Sequence, residues 1–139
     1  MDYLGFTGEE FRAFRDVARD GPIHMLNLVK LHDRAEYPDG RAATGAEAYA
    51  AYGRESSRVF NGLGGRIVWR GKMEAMLIGP QEGEDWDLCF IAEYPSVDAF
   101  VSMIKDPDYR AAMVHRQAAV KTSRLIRMEP LSIGGSFGE

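Results

Sequence analysis

The stretch GPIHMLNLVKL at 21–31 constrains the rest of the chain more than any other. It follows a Gly-Pro break and is then apolar for most of its length. That is too short to cross a bilayer and about right for a buried strand. Asn27 interrupts it with a polar amide. If both faces of this strand are covered, that amide has to be hydrogen-bonded or used.

The remainder of the chain has to bury such a strand, and its size allows it. At 139 residues, 45% hydrophobic and 27% charged, it reads as an ordinary globular chain that builds a core without disulfides or metals. The formal charge of −4 argues against nucleic acid or an anionic membrane surface as partner. Cys89 is the only cysteine, which excludes an internal disulfide and favours a reducing compartment. The opening MDYLGFTGEE has neither a basic n-region nor an apolar h-region, and no run reaches the ~20 apolar residues of a membrane span. A cytoplasmic protein is the expectation.

Helix signals are clear in several places. Thr7 and Glu10 make a capping box, with Phe6 and Phe11 as hydrophobic staple, for a helix over 6–19. Thr44 and Glu47 repeat the box for a second helix, with a buried stripe of Tyr49, Tyr52, Gly53, Ser56, Val59, Phe60 and Leu63. Glycines at 62, 64 and 65 end it. Ser96 opens a short helix, and Asp106-Pro107 starts another that runs to about Thr122. Between the first two helices, HDRAEYPDGRAA at 32–43 reads as an exposed loop.

Strand signals fill the gaps. From Arg66 to Ile78 the pattern has period two, with Ile67, Trp69, Met73, Ala75 and Leu77 on one face and Arg66, Arg70, Lys72 and Glu74 on the other. Gly71 marks a bulge or bend, or separates two strands. QEGEDWD is an acidic turn, WDLCFIAEY at 86–94 is a strand region apolar on both faces, and SRLIRMEP at 123–130 is the last strand.

Past the leading helix the order is strand, helix, strand, strand, helix, strand. This is the ferredoxin-like βαββαβ arrangement, an α+β fold whose antiparallel sheet carries its helices on one face. Two strands that are apolar on both sides leave the second face needing cover, and a second copy packed sheet to sheet as a homodimer supplies it.

The pieces MLNLVK at 25–30, GGRIVWRGK at 64–72, WDLCFIAEYPS at 86–96, DPDYRAAMVHR at 106–116 and SRL at 123–125 resemble the domain-of-unknown-function family thirteen-thirty, in the dimeric α+β barrel superfamily. The resemblance implies a ferredoxin-like protomer and a sheet-to-sheet dimer. It implies no one activity, since that superfamily holds cofactor-independent oxygenases of aromatic polyketides, lactone isomerases, haem-degrading oxygenases and pure binding domains. The chain then divides into a helical extension over 1–21, a ferredoxin-like barrel domain over 22–131 and a flexible tail over 132–139.

Candidate chemistry centres on a pocket between helices and sheet. His115 is a candidate proton shuttle and Arg116 a candidate anion holder, although adjacent helix positions diverge by about 100°. Asn27 would orient a ligand from the sheet floor. Tyr49, Tyr52 and Trp69 would line the pocket, and these are the residue types that the superfamily's cofactor-independent oxygenases use. Lys30 is a candidate carboxylate binder that points to the face opposite Asn27, and Arg66 with Arg70 is a weaker one. Each has a plain structural alternative: a core aromatic, a bulge amide, a salt-bridged lysine. His24, His32 and His115 lack the spacing of a metal site, and no cofactor is expected. The expected function is binding of a small organic or aromatic molecule, either by an enzyme of oxygenase or isomerase type or by a non-catalytic ligand-binding or dimerisation module. The sequence leaves open which face Asn27 takes.

Overall fold

Alternate residues of the first strand turn one way. In the computed structural model, which describes residues 3–138, Ile23, Met25 and Val29 are buried and the residues between them are only partly covered. The expectations for residues 1–2 and 139, at the outer ends of the helical extension and the tail, lie outside the described residues. The strands are β1 (Ile23–Leu31), β2 (Arg66–Gly71), β3 (Leu88–Tyr94) and β4 (Val120–Met128); the helices are α1 (Gly8–Arg15), α2 (Gly45–Gly62), α3 (Val97–Lys105) and α4 (Pro107–Ala119). All strand pairs are antiparallel and the order is β2-β3-β1-β4. This is the ferredoxin-like α+β fold, with α3 added before α4 and α1 preceding the core.

Both capping boxes are formed, at Thr7 with Glu10 and at Thr44 with Glu47. Phe6 meets Phe11 edge-on at 5.4 Å between ring centroids, the expected staple. The first helix ends at Arg15, short of the expected residue 19, and buries no residue of its own. Two glycines are needed where they stand. At Gly45 a Cβ would run into the His32 carbonyl, and Gly64 takes a positive φ of 83° just past the end of α2.

Register decides the faces. Met25, Asn27 and Val29 stand opposite Ala92, Phe90 and Leu88, so all six point towards the helices. Asn27 is therefore on the helix side of the sheet. His24, Leu26, Leu28 and Lys30 point the other way, with Cys89, Ile91 and Glu93.

Several expectations need correcting. Ile67 and Trp69 do not share a face, because β2 carries a bulge between them: Ile67 stands opposite Ala92, and Trp69 opposite Ile91 on the open side. The extra residue, Val68, shifts the alternation by one. The same bulge puts Arg66 opposite Glu93 and Arg70 opposite Phe90, on different faces. Strand β2 stops at Gly71, and 72–78 is irregular, with Leu77 93% and Ile78 90% exposed. The loop at 32–43 is not simply solvated: Tyr37 is buried against Ala48, Ala118 and Val120. The acidic turn is not free either, since Asp85 pairs with Lys30, Asp87 accepts from the Leu31 amide, and Glu84 meets Arg124. Finally, α4 ends at Ala119 and Val120 already pairs with Leu31, where β-branched Val120 and Thr122 favour strand.

Candidate functional site

Helices α2 and α4 pack closely on each other and share the core with the sheet, Tyr109 in one cluster with Met25 and Ala92 and Ala48 in another with Val29. Between them and the sheet lies a cleft of about 1470 Å³. It exceeds the ~300–1,000 Å³ of most small-molecule sites, because it continues beneath α1 to the helix-facing residues of β4.

The floor is Met25, Asn27, Phe90 and Ala92, and the wall from α2 and α4 holds Tyr49, Tyr52, Ser56, Tyr109 and Arg116. Asn27 donates from Nδ2 to the Met25 carbonyl at 3.0 Å, which leaves its Oδ1 as an acceptor on the cleft side. Tyr52 and Tyr109 share a hydrogen bond of 2.7 Å between their hydroxyls, and Tyr49 lies 5.3 Å from Tyr52, ring centroid to centroid. Burial pushes the phenols of Tyr49, Tyr52 and Tyr109 up, against a smaller opposing pull from the Arg116 charge. These tyrosines are therefore neutral hydrogen-bonding groups rather than bases.

Of the residues picked out in the sequence, the cleft brings together Asn27, Tyr49, Tyr52, Arg66 and Arg116. His115, Trp69 and Lys30 lie outside it. His115 sits on a different face of α4 from Arg116, as the 100° step requires. There its Nε2 lies 2.7 Å from Glu55 and its Nδ1 2.6 Å from the Tyr37 hydroxyl. A carboxylate only accepts, so Nε2 carries a proton and a neutral His115 accepts from Tyr37. Trp69 lies half exposed on the open face of the sheet, and Lys30 is held by Asp85 at 2.7 Å. The other histidines are also engaged elsewhere, His24 with Glu93 at 2.8 Å and His32 with Glu36 at 3.7 Å. Among the described residues no group of three or more His, Cys, Asp or Glu could hold a metal ion, and no helix is long and apolar enough to cross a membrane.

Sequence reasoning missed Arg127, which lines the cleft from β4 beside Ser123 and Leu125. Period-two spacing in SRLIRM puts those three on one face, but only the pairing of Leu125 with Asn27 tells which. It also missed Tyr37 and Glu55 as the partners of His115. They are far from it in sequence and carry no local signal.

A four-stranded ferredoxin-like sheet with a cleft under its helices defines a class of small α+β domains. Within that class the chain belongs to the family of the domain of unknown function DUF1330, whose model matches residues 41–129. It is similar to the RPA0582 protein of unknown function from Rhodopseudomonas palustris, with 61% identity over 96% of this chain and 100% of that one, at a TM-score of 0.91. A methylated form of the RPA0582 protein gives 62% identity over 96% and 98% of the two chains, at 0.92. SnoaB, a cofactor-independent oxygenase from Streptomyces nogalater, shares 16% identity over 86% and 99%, and its TM-score of 0.49 is too low to bear on function. No curated protein sequence matches the chain.

Proposed function

We propose that the protein binds a small organic molecule in this cleft, with an aromatic or other flat apolar body against Tyr49, Tyr52 and Phe90. The observation that supports it is Asn27: an amide with one acceptor uncommitted, on the floor of a cleft whose opposite wall is aromatic. Apolar walls with a few fixed polar atoms are what small-molecule sites are made of. Binding is favoured over proton-transfer catalysis, because no histidine or cysteine lines the cleft among the described residues and its tyrosines stay protonated. The test is a metabolite screen by thermal shift on wild type and on Asn27→Ala. A ligand that stabilises wild type and loses most of that effect in the variant supports the site; equal stabilisation of both removes Asn27 from it.

The protein acting on its ligand as a homodimer is the second part of this reading. The open face of the sheet carries Leu26, Ile91, Ile126 and Trp69 side by side across the four strands, with Ile126 44% and Trp69 50% exposed. Leu77, Ile78, Leu131, Ile133 and Phe137 add further exposed apolar groups. A second copy is the cover that this surface fits.

A further inference from the structure

Half-buried arginines in this protein fall into two groups. Arg124 reaches a carboxylate, Glu84 at 3.5 Å. Arg19, Arg116 and Arg127, which all line the cleft near the N-terminal segment, reach none among the described residues. Arg116 donates to the Leu4 carbonyl at 2.7 Å and to the Ser123 hydroxyl at 3.4 Å. Arg19 donates to the carbonyls of Asp20 and Pro22 at 3.2 and 2.9 Å. Arg127 donates from Nη1 to the Phe14 carbonyl, and its Nη2 is buried with no hydrogen-bond partner. The chain has 21 acidic against 17 basic residues, so a shortage of carboxylates is not the reason. Two acids do line the cleft, but Glu10 is spent on the Thr7 amide and Glu129 forms no ion pair among the described residues.

A guanidinium nitrogen buried with its donors unmet is costly, and burial followed by repulsion from Arg19 holds the Arg127 pKa below its usual value. The covering over it is light. Helix α1 buries none of its own residues, and Phe14 seats on Phe100 with ring centroids 5.0 Å apart. Its neighbouring chain is tied down through main-chain carbonyls: Tyr3 to Ser123, Leu4 to Arg116 and Phe14 to Arg127. The Leu4 and Phe14 carbonyls are neutral acceptors on charged donors. A carboxylate in place of the Phe14 carbonyl brings the opposite charge and can accept two parallel N–H bonds from one guanidinium.

We infer that Arg127 is an anion subsite, and that the cleft takes an organic carboxylate whose acid group replaces the Phe14 carbonyl as the N-terminal segment lifts. This rests on the small-molecule reading of the cleft given above. The apolar body then lies against the tyrosine wall, and the charge sits where the protein supplies cations without counter-ions. A carboxylate fits better than a dianion, because a second charge adds desolvation cost in so apolar a site.

The test uses the full chain and matched pairs: benzoate with benzamide, 2-naphthoate with 2-naphthamide, indole-3-acetate with indole-3-acetamide. Binding is read by ligand-observed NMR on wild type, Arg127→Gln, Arg127→Lys and the exposed control Arg34→Gln, with folding checked by thermal melts. Wild type and the control are expected to prefer at least one acid over its amide by ~10-fold or more, as expected for a charge-assisted bidentate contact. Arg127→Gln is expected to shrink that preference to within ~2-fold and Arg127→Lys to keep part of it. Should Arg127→Gln not fold, the wild-type preference is expected to fall with added salt. Acids and amides binding alike in wild type overturn the anion subsite while leaving the cleft a ligand site. An acid preference that survives undiminished in Arg127→Gln, or that does not fall with salt where that variant fails to fold, also overturns it. No binding by any member of the pairs overturns the small-molecule reading and this inference together.

Discussion

The hydroxyls of Tyr52 on α2 and Tyr109 on α4 lie 2.7 Å apart and bond each other across the roof of the cleft. Tyr109 is almost fully buried, and its ring meets that of Tyr52 at 6.0 Å in a T-shaped contact. The pair fastens the two helices together above the core that Tyr109 shares with Met25 and Ala92 of the sheet. Removing one hydroxyl strands the other, so Tyr52→Phe and Tyr109→Phe are each expected to cost about 1–2 kcal/mol. The double variant is expected to cost less than the sum, because it leaves no orphan. A double-mutant cycle in urea checks this, and strict additivity would rule out the coupling.

A second fastening lies outside the cleft. Tyr37 tethers the 32–43 loop to α4 through His115, and Glu55 of α2 holds the other ring nitrogen. Tyr37→Phe keeps the buried ring and loses one hydrogen bond, at an expected cost of about 1 kcal/mol. Ligand affinity in the cleft is expected to stay unchanged, since neither Tyr37 nor His115 lines it. A parallel loss of affinity would return His115 to the site.

On the open face, Glu93 accepts from Arg66 at 2.7 Å and lies 2.8 Å from His24. The Arg66 hydrogen bond first, and the His24 one after it, hold its carboxyl below the usual value of 4.5. A lowered folded pKa means that the charged form is favoured by folding. The stabilisation is therefore present above pH 4.5 and is lost as pH falls through the folded value. Glu93→Gln is expected to be less stable than wild type at neutral pH, and the two should converge in acid. Chemical denaturation at several pH values measures the gap; a gap that does not narrow in acid contradicts the assignment.

Much of this fold is legible in the sequence, because its signals are local. Capping boxes, glycine stops and an apolar run each act within a few residues, and their order is enough to give βαββαβ. What was not legible depends on register. The bulge at Val68 turned Trp69 and Arg70 to faces opposite those that plain alternation gives, and no residue type there announces it. Asn27 is the converse case. Its neighbours Met25 and Val29 are apolar like Leu26 and Leu28, so only pairing with Phe90 and Leu125 placed it under the helices. The partners of His115 and the isolation of Arg127 are long-range facts, visible once the loop at 32–43 and the N-terminal segment have a place.

The open face gives the last prediction. Leu26 stands between Ile91 on β3 and Ile126 on β4, at the middle of the apolar surface. It points away from the helices and the cleft and is half-buried in a lone protomer, so a charge there still reaches water and costs less than it would in the core. In a sheet-to-sheet dimer the same charge is buried without a partner, on both copies at once because the interface is self-complementary. Light scattering at micromolar concentration is expected to give a dimer for wild type and a folded monomer for Leu26→Glu, with helix content by circular dichroism unchanged. Lys105→Glu, at the exposed end of α3, is expected to remain a dimer. A wild-type monomer would mean that this face has another cover, and a Leu26→Glu dimer would place the contact elsewhere on the surface.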